Sequence, residues 1–139
     1  MTPVQMVRAV GGIASKGKLV TPHVYKDIDS TKLITESVNI ESKNFDVIHE
    51  GMRQVVTVGT GGALNISNIE IAAKTGTAQV GISKKAINSW VIGFFPYENP
   101  KYAFTVLMEN SPSTNKIGAS QAMGELARWM TIYTPDYFK

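Results

Sequence analysis

Ile71-Ala72-Ala73-Lys74-Thr75-Gly76-Thr77-Ala78-Gln79 begins as an apolar, small-residue run and turns without a break into a lysine, two hydroxyls and a glycine. Read as a strand, it sends successive side chains to opposite faces, so Lys74 and Gly76 share one side and Thr75 and Thr77 the other. Gly76 has no Cβ, and a glycine inside a strand marks close approach of a ligand or of a second backbone. The segment therefore reads as the wall of an anion-binding site. A bare Lys-Thr-Gly fits equally well a core strand whose lysine snorkels to solvent. The surrounding sequence has to decide between the two.

Before the segment, Gly59-Thr60-Gly61-Gly62 interrupts any regular element, because three glycines in four residues make helix and strand alike costly. After it, Ser89 to Phe95 and Tyr102 to Glu109 have strand character. Pro96-Tyr97-Glu98-Asn99-Pro100 joins them over a hairpin's length. With Ile69 to Gln79 these make a three-strand meander.

Upstream, Thr2-Pro3 is a helix start, a capping hydroxyl followed by proline at the first helical position. The helix is expected from Pro3 to about Ser15, ended by Gly17. Leu19 to Lys26 reads as extended chain with a break at Thr21-Pro22, and Asp27 to Ile40 as loop with a short strand. A second helix is expected from an N-cap at Ser42 to about Thr57, with Phe45, Val47, Ile48, Met52, Val55 and Val56 on its apolar face. The third, Gly118 to Tyr133, carries Ala119, Ala122, Met123, Leu126, Ala127 and Met130 at helical spacing. Helices, a meander and a closing helix predict an α+β layer, an antiparallel sheet of three strands flanked by helices.

Composition narrows the function classes. The chain of 139 residues is one domain's length, 43% apolar and 18% charged, without repeats or low-complexity tracts. Its net charge of +3 is spread over scattered lysines rather than a stripe, which argues against a nucleic-acid surface. Cysteine is absent, so disulfides, thiolate metal sites and cysteine nucleophiles are excluded. His23 and His49 have no metal-type spacing, and both read as surface residues. No run is apolar over the length a spanning helix needs, and the first residues do not form a signal peptide. Any leader or anchor is expected outside this sequence.

Lys74-Thr75-Gly76-Thr77-Ala78 between a glycine-rich loop and the Trp90 strand, with Gly51-Met52-Arg53-Gln54-Val55-Val56 before that loop and Thr2-Pro3-Val4-Gln5 opening the first helix, resembles a known pattern. It is that of the C-terminal part of the transpeptidase domain of class B penicillin-binding proteins, closest to the penicillin-binding protein 2 type. Lys-Thr-Gly is one of that group's three motifs, beside Ser-x-x-Lys and a Ser-x-Asn turn. The resemblance implies a partial β-lactamase/transpeptidase-like fold. It implies a parent enzyme in which a serine attacks the D-alanyl-D-alanine end of a peptidoglycan stem peptide, and an amine from a second stem resolves the acyl-enzyme. β-Lactams acylate the same serine, and no cofactor is implied.

By the same resemblance, Lys74, Thr75, Gly76 and Thr77 bind the substrate. Lys74 attracts the carboxylate and touches the serine of the Ser-x-Asn motif; the hydroxyls of Thr75 and Thr77 donate to that carboxylate; the Thr77 N–H forms half of the oxyanion hole. Trp90 is assigned only packing. The parent would act at the periplasmic face of the bacterial inner membrane, held by an anchor outside this segment, which itself touches no membrane.

The nucleophile is the difficulty. Ser15-Lys16-Gly17-Lys18 and Ser113-Thr114-Asn115-Lys116 fit Ser-x-x-Lys, and Ser37-Val38-Asn39, Ser42-Lys43-Asn44 and Ser113-Thr114-Asn115 fit Ser-x-Asn. A chain this rich in serine and lysine holds such strings by chance, and neither Ser15 nor Ser113 begins a buried helix that would set hydroxyl and amine on one face. The expectation is a C-terminal portion of the domain over residues 1–139, with the nucleophile-bearing lobe upstream, inactive alone and prone to self-association through bare strand edges. Two other readings stay open from the residues: a non-enzymatic peptide-binding module, and part of a serine β-lactamase or β-lactam sensor.

Overall fold

The structure, a computed structural model, describes residues 1–25, 35–81 and 85–138. Helix α1 spans Pro3–Ala14 and is closed at its start by a reciprocal box. The Gln5 N–H donates to Thr2 Oγ1 at 3.3 Å, and the Thr2 N–H donates to Gln5 Oε1 at 2.8 Å. At its end Lys16 and Gly17 both take positive φ, 55° and 105°, and the Gly17 N–H reaches back to the Gly12 carbonyl at 2.7 Å. That bond is the helix stop the glycine predicts.

Strand β1 (Lys18–Val20) pairs antiparallel with β2 (Thr35–Ser37), the short strand expected somewhere between Asp27 and Ile40. Residues 26–34 of these two expected stretches lie outside the described residues. The expected extended run from Leu19 is regular only as far as Val20.

Helix α2 covers Ser42–Thr57, but the cap position belongs to Glu41, which makes no side-chain cap bond; Ser42 is already helical. The buried stripe is Phe45, His49, Met52 and Val56, a true 3.6-residue repeat. Val47 is 72% exposed and Ile48 41% exposed, so neither belongs to the face expected of them. Val47 sits more than half a turn round from Phe45. His49, expected at the surface, is only 7% exposed. Its Nε2 lies 2.8 Å from the Ile13 carbonyl at the end of α1, and its ring meets Phe94 at 4.7 Å between centroids. The histidine is a core residue that joins α1 to α2.

Strands β3 (Ala72–Val80), β4 (Ala86–Phe95) and β5 (Tyr102–Pro112) form the main sheet in sequence order, antiparallel throughout. The meander is the one expected, displaced at its ends: β3 starts three residues after Ile69, and β4 and β5 reach further than predicted. Helix α3 spans Ala119–Tyr133, and a 3₁₀ turn at Pro135–Phe138 follows it, unforeseen from the sequence.

Helices cover both faces of the sheet. On one, Val10 of α1 and Met52 of α2 pack on Ala72 and Phe94. On the other, Ala119, Met123 and Ala127 of α3 pack on Ala73, Val91 and Phe95. The adjacent Phe94 and Phe95 thus point to opposite layers, as strand alternation requires. Leu126, expected on the inner face of α3, is 48% exposed. The inner face runs instead through Met123, Gly124 and Ala127, and at Gly124 a Cβ would stand 2.4 Å from the Ala63 carbonyl oxygen. Helix α2 packs chiefly against β3 and reaches the central strand at Phe94. It contributes Met52 to one layer and Val56 to the other.

Candidate active site

The residues singled out in the sequence stand on β3, in register with β4: Lys74 opposite Ile92, Gly76 opposite Trp90, Thr77 opposite Ser89. Ile71, Ala72 and Ala73 are fully buried, whereas Lys74, Gly76, Thr77 and Ala78 are exposed and Thr75 is half-buried. β3 is an edge strand, and among the described residues no other strand pairs with its outer side. The carbonyls of Ile71 and Thr75 are both taken from outside the ladder, by Arg53 Nη1 at 3.0 Å and by Lys74 Nζ at 2.6 Å. In an antiparallel ladder the N–H and C=O of one residue point the same way and the direction alternates, so Ala73, Thr75 and Thr77 present both groups to that outer edge. Helix α2 covers the edge at Ile71; at Thr77 no described element covers it.

The exposed half borders two clefts. One, about 580 Å³, lies on the α1 side and includes Lys74, Gly76, Asn88, Trp90, Ile92 and Met6. The other, about 280 Å³, lies on the α3 side and includes Thr60, Thr75, Thr77, Ser89, Asn115, Lys116 and Gln121. None of the described residues lining either cleft is acidic, while Lys74 and Lys116 are cationic. Among the described residues Lys74 forms no ion pair. A lysine with no carboxylate partner among the described residues, the Thr75 and Thr77 hydroxyls and the outward Thr77 N–H suit an anion and repel a cation. Among the described residues no group of three His, Cys, Asp or Glu side chains is placed to hold a metal ion.

Gly76 separates the two explanations of the strand. Among the described residues a Cβ built there would meet only Trp90 Cβ, at 3.7 Å, an ordinary contact. Nothing among the described residues requires glycine at this position, and its bareness leaves room for what approaches from outside. Trp90, half-buried opposite it, is among the residues lining both clefts.

The Ser-Lys strings do not assemble. Ser15 caps the end of α1, with its Oγ 2.8 Å from the Gly11 carbonyl and 2.7 Å from the Lys18 carbonyl, and lines neither cleft. Ser37 ends β2 and Ser42 opens α2. Ser113 donates its N–H to Lys85 at the far end of β4, and only its neighbours Asn115 and Lys116 reach the α3-side cleft.

Three contributors escaped sequence reasoning. Ser89 Oγ accepts the Ala119 N–H at 2.9 Å and so caps α3 from the neighbouring strand. Gln121 Oε1 accepts the Gly118 N–H at 2.8 Å. Thr60 Oγ1 stands 2.6 Å from Thr75 Oγ1. The strand register opposite Thr77 would have pointed to Ser89; nothing local pointed to the other two.

Comparison with known proteins identifies the family of the fold. The family model described as the penicillin binding protein transpeptidase domain matches residues 1–128. The chain belongs to the penicillin-binding protein transpeptidase family. It is 30% identical over 156 aligned residues to the peptidoglycan D,D-transpeptidase MrdA of Haemophilus influenzae, which covers 95% of this chain and 23% of that protein. Among solved structures it superposes on penicillin-binding protein 2 of Helicobacter pylori with a TM-score of 0.74 at 31% identity, over 99% of this chain and 25% of that one. For penicillin-binding protein 2B of Streptococcus pneumoniae strain R6 the values are 0.72 and 25%, over 96% and 25% of the two chains. The chain thus spans about a quarter of the length of these transpeptidase relatives. The α+β layer with helices on both faces of an antiparallel sheet is the family's fold.

Proposed function

We propose that residues 1–139 supply the carboxylate-binding strand and half of the oxyanion hole of a peptidoglycan D,D-transpeptidase, as the C-terminal portion of its catalytic domain, and that the attacking serine belongs to polypeptide outside them. One observation carries this reading. Among the described residues no strand pairs with the outer edge of the Lys-Thr-Gly strand, and Lys74, Gly76 and Thr77 are exposed beside clefts in which no described residue is acidic.

In this reading the terminal carboxylate of a D-alanyl-D-alanine stem is drawn by the Lys74 ammonium and accepts hydrogen bonds from the Thr75 and Thr77 hydroxyls. The stem lies along the bare edge of β3 as an added extended segment, held by main-chain bonds. Gly76 leaves the room for it. The Thr77 N–H, on that same edge, faces the oxygen on which charge develops when the serine attacks. One such donor is worth roughly 10²-fold in rate. The attack forms an acyl-enzyme and expels the terminal D-alanine, and the amine of a second stem displaces the enzyme to give the cross-link. β-Lactams enter by the same carboxylate contacts and acylate the same serine.

The partners are then the stem peptides, β-lactams and the remainder of the parent transpeptidase, and the place of action is the periplasmic face of the inner membrane. No described helix is long and apolar enough to cross a membrane. The open edge of β3 also favours self-association of the isolated chain.

A fluorescent penicillin tests the division of labour. The 139-residue chain alone takes no covalent label, whereas the full-length parent is labelled stoichiometrically and its Lys74→Ala variant at least 10²-fold more slowly. Labelling of the short chain at Ser15 or Ser113 would overturn the proposal.

A further inference from the structure

Thr60 lies outside the Lys-Thr-Gly motif, fifteen residues before Thr75, yet the two hydroxyl oxygens stand 2.6 Å apart. The approach is built by the glycines on either side. A Cβ at Gly59 would lie 2.9 Å from Val55 Cα, and one at Gly61 would lie 3.0 Å from the Val55 carbonyl oxygen. With neither present, the loop folds back on the last turn of α2, and the Gly61 N–H donates to the Val55 carbonyl at 2.8 Å. Val56 and Leu64, on the two sides of the loop, are fully buried and anchor it. Thr60 is therefore a fixed group at the rim of the cleft that holds Thr75 and Thr77.

A hydroxyl has one hydrogen to give and lone pairs to accept with, so one member of the pair donates and the other receives. If Thr75 donated to Thr60, its hydrogen would be spent and only lone pairs would face an anion. If Thr60 donates, the Thr75 hydrogen is free to point into the cleft, and the accepted bond polarises the hydroxyl into a better donor. We propose that Thr60 is a positioning residue for carboxylate recognition, donating to Thr75 Oγ1 so that the Thr75 hydroxyl is presented outward to the substrate or β-lactam carboxylate. This inference rests on the transpeptidase reading above.

The experiment measures acylation rates of the full-length protein with benzylpenicillin and with its methyl ester, which lacks the anionic carboxylate. Thr60→Val slows the acid about tenfold, the loss expected of one hydrogen bond serving a charged group, and leaves the ester within about twofold. Thr60→Ser keeps the wild-type preference for the acid. In a Thr75→Val background, Thr60→Val has no further effect on the acid. Equal slowing of acid and ester, no slowing at all, or full additivity of the two substitutions overturns the role of Thr60. The reading beneath it fails separately, and takes this inference with it, if wild type is not acylated or if Lys74→Ala reacts with the acid as fast as wild type.

Discussion

Ala72 and Ala73, at the start of β3, lie fully buried between the α1 layer and the α3 layer; Gly76 and Thr77, in the same strand and the same ladder with β4, are open to solvent. Pairing with β4 is continuous, so backbone hydrogen bonds inside the sheet do not distinguish the halves. Cover does. At the closed half α2 lies against the strand, Arg53 takes the outward Ile71 carbonyl and pairs with Glu70 at 3.4 Å. Beyond Lys74 no described element lies along the outer edge. Apolar cover holds the strand at one end; at the other, pairing with β4 and the Thr60 contact present the recognition groups.

Two glycines sharpen the contrast, and Gly93→Ala should have the larger effect on stability. A Cβ at Gly93 would stand 2.4 Å from the Ala72 carbonyl oxygen and 2.6 Å from Phe104 Cζ, so backbone or ring must move. The expected loss is about 2–3 kcal/mol, the range for overfilling a packed core, read as a lower urea midpoint. At Gly76 the same methyl meets one atom at ordinary distance. Gly76→Ala should change stability by less than about 0.5 kcal/mol, as exposed substitutions do. In the full-length parent it should nonetheless slow penicillin acylation about tenfold, by narrowing the path of the carboxylate. Comparable destabilisation by both substitutions would erase the distinction between the halves.

The open half was the more legible in sequence. Lys74 to Thr77 show their chemistry residue by residue, and the alternation of a strand is enough to assign their faces. The meander and the three helices were legible too, because apolar periodicity, the Thr2-Pro3 start and the Gly17 stop are local signals. What escaped depends on pairs distant in the chain. His49 looks like any polar helix residue until the Ile13 carbonyl and Phe94 are seen beside it. Val47 and Leu126 satisfy a loose helical spacing, but which of two neighbouring stripes faces inward is decided by the partner surface. Thr60 and Ser89 matter only through contacts fifteen and thirty residues away.

The smallest effect probes the closed half through Tyr97, in the loop between β4 and β5. Its hydroxyl donates to Glu50 Oε2 of α2 at 3.1 Å, its N–H donates to the Glu70 carbonyl at 2.8 Å, and the Arg53 guanidinium stands 6.0 Å from its ring centroid. Burial first, and then the bond to Glu50 with that carboxylate's charge, hold the phenol above its ordinary value of 10.0. A raised native pKa means that the folded chain keeps this proton more tightly than the unfolded chain. The stabilisation is therefore complete below the unfolded value and is lost as pH rises from there through the native one. Urea midpoints should accordingly fall more steeply above about pH 10 in wild type than in Tyr97→Phe. At pH 8 the variant should be weaker by about 1 kcal/mol for the missing hydrogen bond. Parallel decline in the two proteins would show that Tyr97 does not clasp the covered end of β3 through its proton, and would leave Arg53 and the apolar contacts of α2 as what closes it.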